Sequence, residues 1–79
     1  MNNWQDHIER SPEIMLGKPV IKGTRLTVEH ILDRLSDGWS VEQVVASYPR
    51  LTPEAVRAAL RFAACSLATD EQVFLQESA

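Results

Sequence analysis

The chain has a single cysteine, Cys65, so no disulfide can close within it and its cysteine usage fits a reducing compartment. It also lacks any apolar run near the roughly 20 residues that a helix needs to cross a bilayer. The opening stretch, Met1 to Ser11, lacks the basic-then-apolar grading of a secretory signal. A cytoplasmic protein with no membrane contact is therefore expected. Glycine-rich phosphate loops and nucleophile elbows are missing as well. The two histidines, His7 and His30, stand alone, and no His, Cys or carboxylate pair has metal-ligand spacing. Isolated histidines of this kind are expected on the surface or in packing. Cys65 has no thiolate-stabilising neighbour pattern and is expected to be inert. These gaps point away from an enzyme, a metal, a cofactor or a small-molecule substrate.

What remains is a short, folded chain. Hydrophobic residues make up 44% of 79, which suits one globular domain close to the lower size limit for a single core. The organising stretch is Gly38 to Leu60. Ser40 and Gln43 form a capping box, and Val41, Val44, Val45 and Tyr48 follow at helical spacing. Pro49 ends that helix, and Thr52-Pro53 starts the next with a capping hydroxyl and a proline at the first helical position. Val56, Ala59, Leu60, Ala63 and Leu67 then read as an apolar stripe. The layout is that of a helix-turn-helix, with Tyr48, Pro49, Leu51, Thr52 and Val56 loosely filling its usual positions.

Before this unit, Thr27 caps a helix carrying Val28, Ile31, Leu32 and Leu35, and Gly38 closes it in a left-handed conformation. Earlier still, Glu13–Leu16 and Pro19–Lys22 read as two strands of a hairpin turning at Gly17-Lys18. Gly23 is expected to take a positive φ. The predicted architecture is mainly α, a three-helix core containing a helix-turn-helix with a short N-terminal β-hairpin. A single domain covers residues 1–68, with the hairpin at about 13–22 and helices at about 27–37, 40–48 and 52–68. Residues 69–79 form a C-terminal tail.

Net charge is −3, which by itself disfavours a dedicated nucleic-acid binder, but the distribution is uneven. Residues 27–48 set Arg34 against Glu29, Asp33, Asp37 and Glu42. Residues 49–68 set Arg50, Arg57 and Arg61 against Glu54 alone. Stepping 100° per residue from Val56 places Glu54, Arg57, Ala58, Arg61 and Cys65 opposite the expected core, with Phe62 at the margin. Three readings of that face stand side by side. It can enter a DNA groove; it can be a solvated face with a Glu54–Arg57 pair; or, through Ala58, Phe62 and Cys65, it can meet a partner. The tail carries Asp70, Glu71 and Glu77 with no base, around the apolar Val73-Phe74-Leu75, which is expected either to fold back on the core or to hold another protein.

The run Ile14-Met15-Leu16-Gly17-Lys18-Pro19-Val20-Ile21-Lys22-Gly23-Thr24-Arg25, with Trp4, Gly38-Trp39-Ser40, Tyr48-Pro49 and Leu51-Thr52, resembles the small bacterial family known as domain of unknown function 433. The resemblance spans nearly the whole chain, and GKPVIKGTR is its most distinctive part. It implies a homeodomain-like helical core with a small hairpin. Many members look like antitoxins paired with a PIN-like ribonuclease toxin, and no catalytic residues transfer. The resulting expectation is a homodimeric, DNA-binding antitoxin-type repressor. Arg57 and Arg61 would reach the major groove, Ser40, Arg50 and Thr52 would contact phosphate, and Val73, Phe74 and Leu75 would hold the toxin. The competing expectation is a protein-interaction module that inhibits or scaffolds a partner and never touches DNA.

Overall fold

The structure, a computed structural model, describes residues 3–68. Three helices follow one another: α1 (Val28–Ser36), α2 (Val41–Ser47) and α3 (Pro53–Ala68). Each start is secured locally. The Thr27 hydroxyl accepts the His30 N–H at 3.0 Å, and the Thr52 hydroxyl accepts the Ala55 N–H at 3.1 Å. At α2 the Ser40 hydroxyl accepts the Gln43 N–H, while the Gln43 side chain accepts the Ser40 N–H at 2.7 Å. Such caps satisfy N–H groups that a helix leaves unpaired, and each contributes about 1 kcal/mol. The end of α1 is a Schellman motif. Gly38, at φ +97°, donates to Leu35 and Trp39 donates to Arg34, a backbone that glycine takes without strain.

The strands lie elsewhere than the sequence indicates. The ribbon pairs β1 (Ile8–Glu9) with β2 (Val20–Ile21), antiparallel, with Ile8 opposite Ile21 and Glu9 opposite Val20. Residues 13–16 are not a strand, so the hairpin expected at about 13–22 is corrected. The physical reason is that this stretch spends its donors at short range. Ile14 donates to Ser11, Gly17 to Ile14 and Lys18 to Met15, at 2.9, 3.0 and 3.1 Å, leaving none of these N–H groups for a ladder. The result is a tight left-handed knuckle with Met15 at φ +49° and Leu16 at φ +58°. A side chain in that region costs on the order of 1–2 kcal/mol. Leu16 projects from it 93% exposed. Beside the knuckle, the Ser11 hydroxyl donates to Glu13 at 2.5 Å and holds that carboxyl below its usual range.

The core gathers Ile8, Ile21, Val28, Ile31, Val44, Leu51, Ala55, Val56, Ala58 and Ala59. Helix α3 is covered on two sides, by α1 and α2 and by the N-terminal 3-10 turn (Trp4–Asp6) with β1. Trp4 meets Phe62 edge-on, ring centroids 5.0 Å apart. This second cover rotates the buried arc of α3 away from the leucine stripe. Ala58 is fully buried, whereas Leu60 and Leu67 are 43% and 65% exposed.

Two outcomes follow from this packing. Ala58→Leu forces extra volume into a closed seam and is expected to lower stability by about 1–3 kcal/mol in urea titration; no change would mean that Ala58 faces solvent. Ser11→Ala removes the donor that stabilises the Glu13 carboxylate, so the NMR titration midpoint of Glu13 should move up toward the ordinary carboxylate range. Because its folded-state pKa is depressed, the small contribution of Glu13 is present above that range and lost as pH falls through the lowered value.

Candidate nucleic-acid interface

The charged face of α3 is built by exclusion. With Ala55, Ala58, Ala59 and Val56 turned inward, the outward arc retains Arg57, Arg61, Leu60, Ala64, Cys65 and Leu67. Arg57 and Arg61 lie four residues apart, so they are neighbours on one face. Both are exposed, and among the described residues neither is in an ion pair with a carboxylate. Ala58 lies beneath this face, so it cannot line a groove or a dimer contact. Phe62 is half-buried between Trp4 and the Arg10 guanidinium, which sits 5.7 Å from its ring centroid. The expectation that Ala58 belongs to a partner surface is thereby corrected, while Phe62 keeps a partly exposed ring lining a groove with Met15, Lys18 and Glu29.

Arg50 is exposed and tied down. Its Nη1 donates to the Gly23 carbonyl at 2.8 Å, a contact between residues 27 apart in sequence. On the other side of the same residue, the Gly23 N–H donates to the Glu9 carboxylate at 3.1 Å. Gly23 takes φ +81°, and the turn is completed by Thr24, whose hydroxyl donates to the Ile21 carbonyl at 2.8 Å and accepts the Leu26 N–H at 3.0 Å. A cation and an anion thus fix one peptide turn from both ends. The exposed Lys22 and Arg25 flank that turn and join Arg50 at one end of the molecule. A small, mostly apolar hollow of about 330 Å³ lies there between Arg25, Leu26, Tyr48, Pro49 and Arg50. No local sequence pattern signals that Lys22 and Arg25 share a surface with Arg50, because the contact that joins them spans 27 residues.

Ser40 and Thr52 are exposed; each oxygen accepts one cap bond and keeps its hydroxyl hydrogen to donate. Val73, Phe74 and Leu75 lie outside the described residues. His30 Nε2 and the Tyr48 hydroxyl are 2.7 Å apart and join α1 to the end of α2. A broad groove of about 810 Å³ runs past Met15, Lys18, Glu29, His30 and Phe62, crossed by the Lys18–Glu29 ion pair at 3.0 Å. Among the described residues no group of His, Cys, Asp and Glu is arranged to hold a metal ion.

Comparison with known proteins adds a family and a fold. Residues 8–63 match a family described as "Protein of unknown function (DUF433)". An uncharacterized protein of Sinorhizobium fredii, y4eO, is 36% identical over 56 residues. That match takes in 71% of this chain, yet the chain spans only 25% of the length of that relative. The crystal structure of a DUF433 member protein from Anabaena variabilis superposes with a TM-score of 0.71 at 25% identity, over 92% of this chain and 68% of the other.

The Arg50 contact makes a separate prediction. Arg50→Ala should speed amide exchange at Gly23 and Thr24 and cost about 0.5–1.5 kcal/mol in urea titration. Unaltered exchange at both amides would show that the guanidinium does not hold the turn.

Proposed function

Because the chain belongs to the DUF433 family, whose description states no activity, we propose a function from its surface: a DNA-binding repressor of the antitoxin type, acting as a homodimer. One observation carries the reading. In a chain of net charge −3, Arg57 and Arg61 stand exposed on adjacent turns of α3 and are neutralised by none of the described carboxylates. Isolated cations of this kind attract a polyanion.

In this reading α2, the Pro49 turn and α3 act as a helix-turn-helix, with α3 as the helix that enters the major groove. Arg57 and Arg61 reach base edges. Lys22 and Arg25 contact phosphate at the end of the molecule where Arg50 fixes the turn. Arg50 keeps donors beyond the one spent on Gly23, and the Ser40 and Thr52 hydroxyls donate to phosphate while still accepting their caps. With Ala58 buried, the exposed Met15–Leu16 knuckle is the apolar surface that meets a second copy. In this reading the acidic, apolar segment around Val73, Phe74 and Leu75 holds a protein partner, a PIN-like ribonuclease toxin.

A second reading has its own support. Leu16, Leu60 and Leu67 are exposed in a small protein, and Glu29, Asp33 and Asp37 line the outward face of α1. Such a surface suits a protein-interaction module that inhibits a partner without DNA.

Salt-dependent titration of duplex DNA separates the two. The double variant Arg57→Ala, Arg61→Ala should keep its helical circular dichroism, lose roughly tenfold or more in affinity per arginine for its preferred duplex, and lose its preference among duplex sequences, with the salt slope held by the phosphate contacts. Affinity and sequence preference equal to those of the unaltered chain, or no DNA binding by the unaltered chain, would leave the interaction module as the reading.

A further inference from the structure

The hollow beside the Gly23 turn combines an apolar wall with cations. Leu26, Tyr48, Pro49 and the buried Leu51 form the wall. The exposed Arg25 and Arg50 complete the lining, which includes no carboxylate. We propose that this hollow binds a small apolar monoanion, a carboxylate carried on a single ring or a short aliphatic chain.

Three features select that chemistry. The first is size: a volume of about 330 Å³ lies at the small end of the range of about 300–1,000 Å³ that ligand sites span. The second is the set of side-chain donors. Thr24 also lines the hollow, but its hydroxyl hydrogen is donated to the Ile21 carbonyl at 2.8 Å. The Tyr48 hydroxyl is paired with His30 Nε2 at 2.7 Å. The two guanidinium groups remain, and they bond an anion more strongly than a neutral acceptor. The third is preparation. Arg50 is already held by its bond to the Gly23 carbonyl, and a guanidinium so held keeps further donors, so little freedom is lost when a carboxylate arrives.

The site stands on the hollow alone. Its consequence rests on the DNA reading above. There Arg25 and Arg50 meet phosphate and Pro49 lies in the turn between α2 and α3, so a bound carboxylate competes with the duplex backbone for the same donors.

The test titrates the full chain with phenylacetate and with hexanoate by NMR. Saturable shifts are expected at the Leu26, Tyr48 and Leu51 amides and at the Arg25 and Arg50 side-chain N–H signals. Phenylacetamide keeps the ring without the charge, and acetate keeps the charge without the ring. Each should bind about tenfold more weakly or worse. Arg25→Ala should weaken phenylacetate by up to about fivefold with circular dichroism unchanged. No saturable shift with either carboxylate, or shifts centred on Arg57 and Arg61 instead, overturns the site. Equal binding of phenylacetamide overturns its preference for an anion, and equal binding of acetate reduces it to an adventitious ion only. DNA titration then separates the two readings. Saturating phenylacetate, against acetate at equal concentration, should lower duplex affinity and reduce the salt slope by about 2. Shifts at the hollow with no DNA binding by the unaltered chain would uphold the site and refute the repressor. Duplex affinity unmoved by saturating phenylacetate would uphold the site and overturn the competition.

Discussion

The rest of the molecule depends on how closely four elements can approach α3. Its inward surface is made largely of Ala55, Ala58 and Ala59, with Val56 the one larger side chain fully enclosed. Small side chains bring neighbouring backbones to the near end of the usual 8–10 Å helix spacing. The close approach lets α1 and α2 cover one flank while the Trp4–Asp6 turn and β1 cover the other. A helix enclosed on both flanks has only a narrow arc left. The arginines, the exposed leucines and Cys65 all fall on that arc because the alanines occupy the remainder. The functional surface is thus a consequence of side-chain volume in the core.

A second constraint fixes what lies beside that arc. Gly23 is gripped through its N–H by Glu9 and through its carbonyl by Arg50, which links β1, the turn after β2 and the turn before α3. The partners carry opposite full charges and meet opposite ends of one residue, so each bond is charge-assisted. A lysine in place of Arg50 would keep the charge and lose the planar fork that aims a guanidinium at a carbonyl while leaving other donors free. Lys22 and Arg25 are carried along by the held turn. Two segments far apart in sequence become one basic edge.

Features decided within three or four residues were readable from the sequence. Thr27, the Ser40–Gln43 box, Thr52-Pro53 and Gly38 all place their bonds locally, and the structure has each of them. The strand at residues 13–16 misled because its alternation is overridden by short-range turns, an outcome that hydropathy does not encode. Leu60 and Leu67 misled for a different reason. A helical stripe is normally assigned to its largest apolar side chains, yet here cover from the N-terminal turn draws alanines inward instead. Ala58 has almost no hydropathic signal of its own, so its burial is decided by tertiary packing that no local pattern encodes. The Arg50–Gly23 contact was hidden in the same way. The outward placement of Arg57 and Arg61 was legible, since charge resists burial on either flank.

Net charge is a poor guide to what such a molecule attracts. The acids of α1 are partly answered where they stand, Glu29 by Lys18 at 3.0 Å and Asp33 by Arg34 at 3.3 Å. These exposed pairs contribute little to stability, about 0–1 kcal/mol each, but they flatten the field of that face. Arg57 and Arg61 receive no such answer from the described residues. At physiological salt the screening length is about 8 Å, well below the 25 Å of the shortest molecular dimension. A ligand at α3 therefore responds mainly to the charges within its own neighbourhood. The acidity of α1 is consistent with an anionic ligand on α3, because screening and the ion pairs on α1 confine its field to its own face.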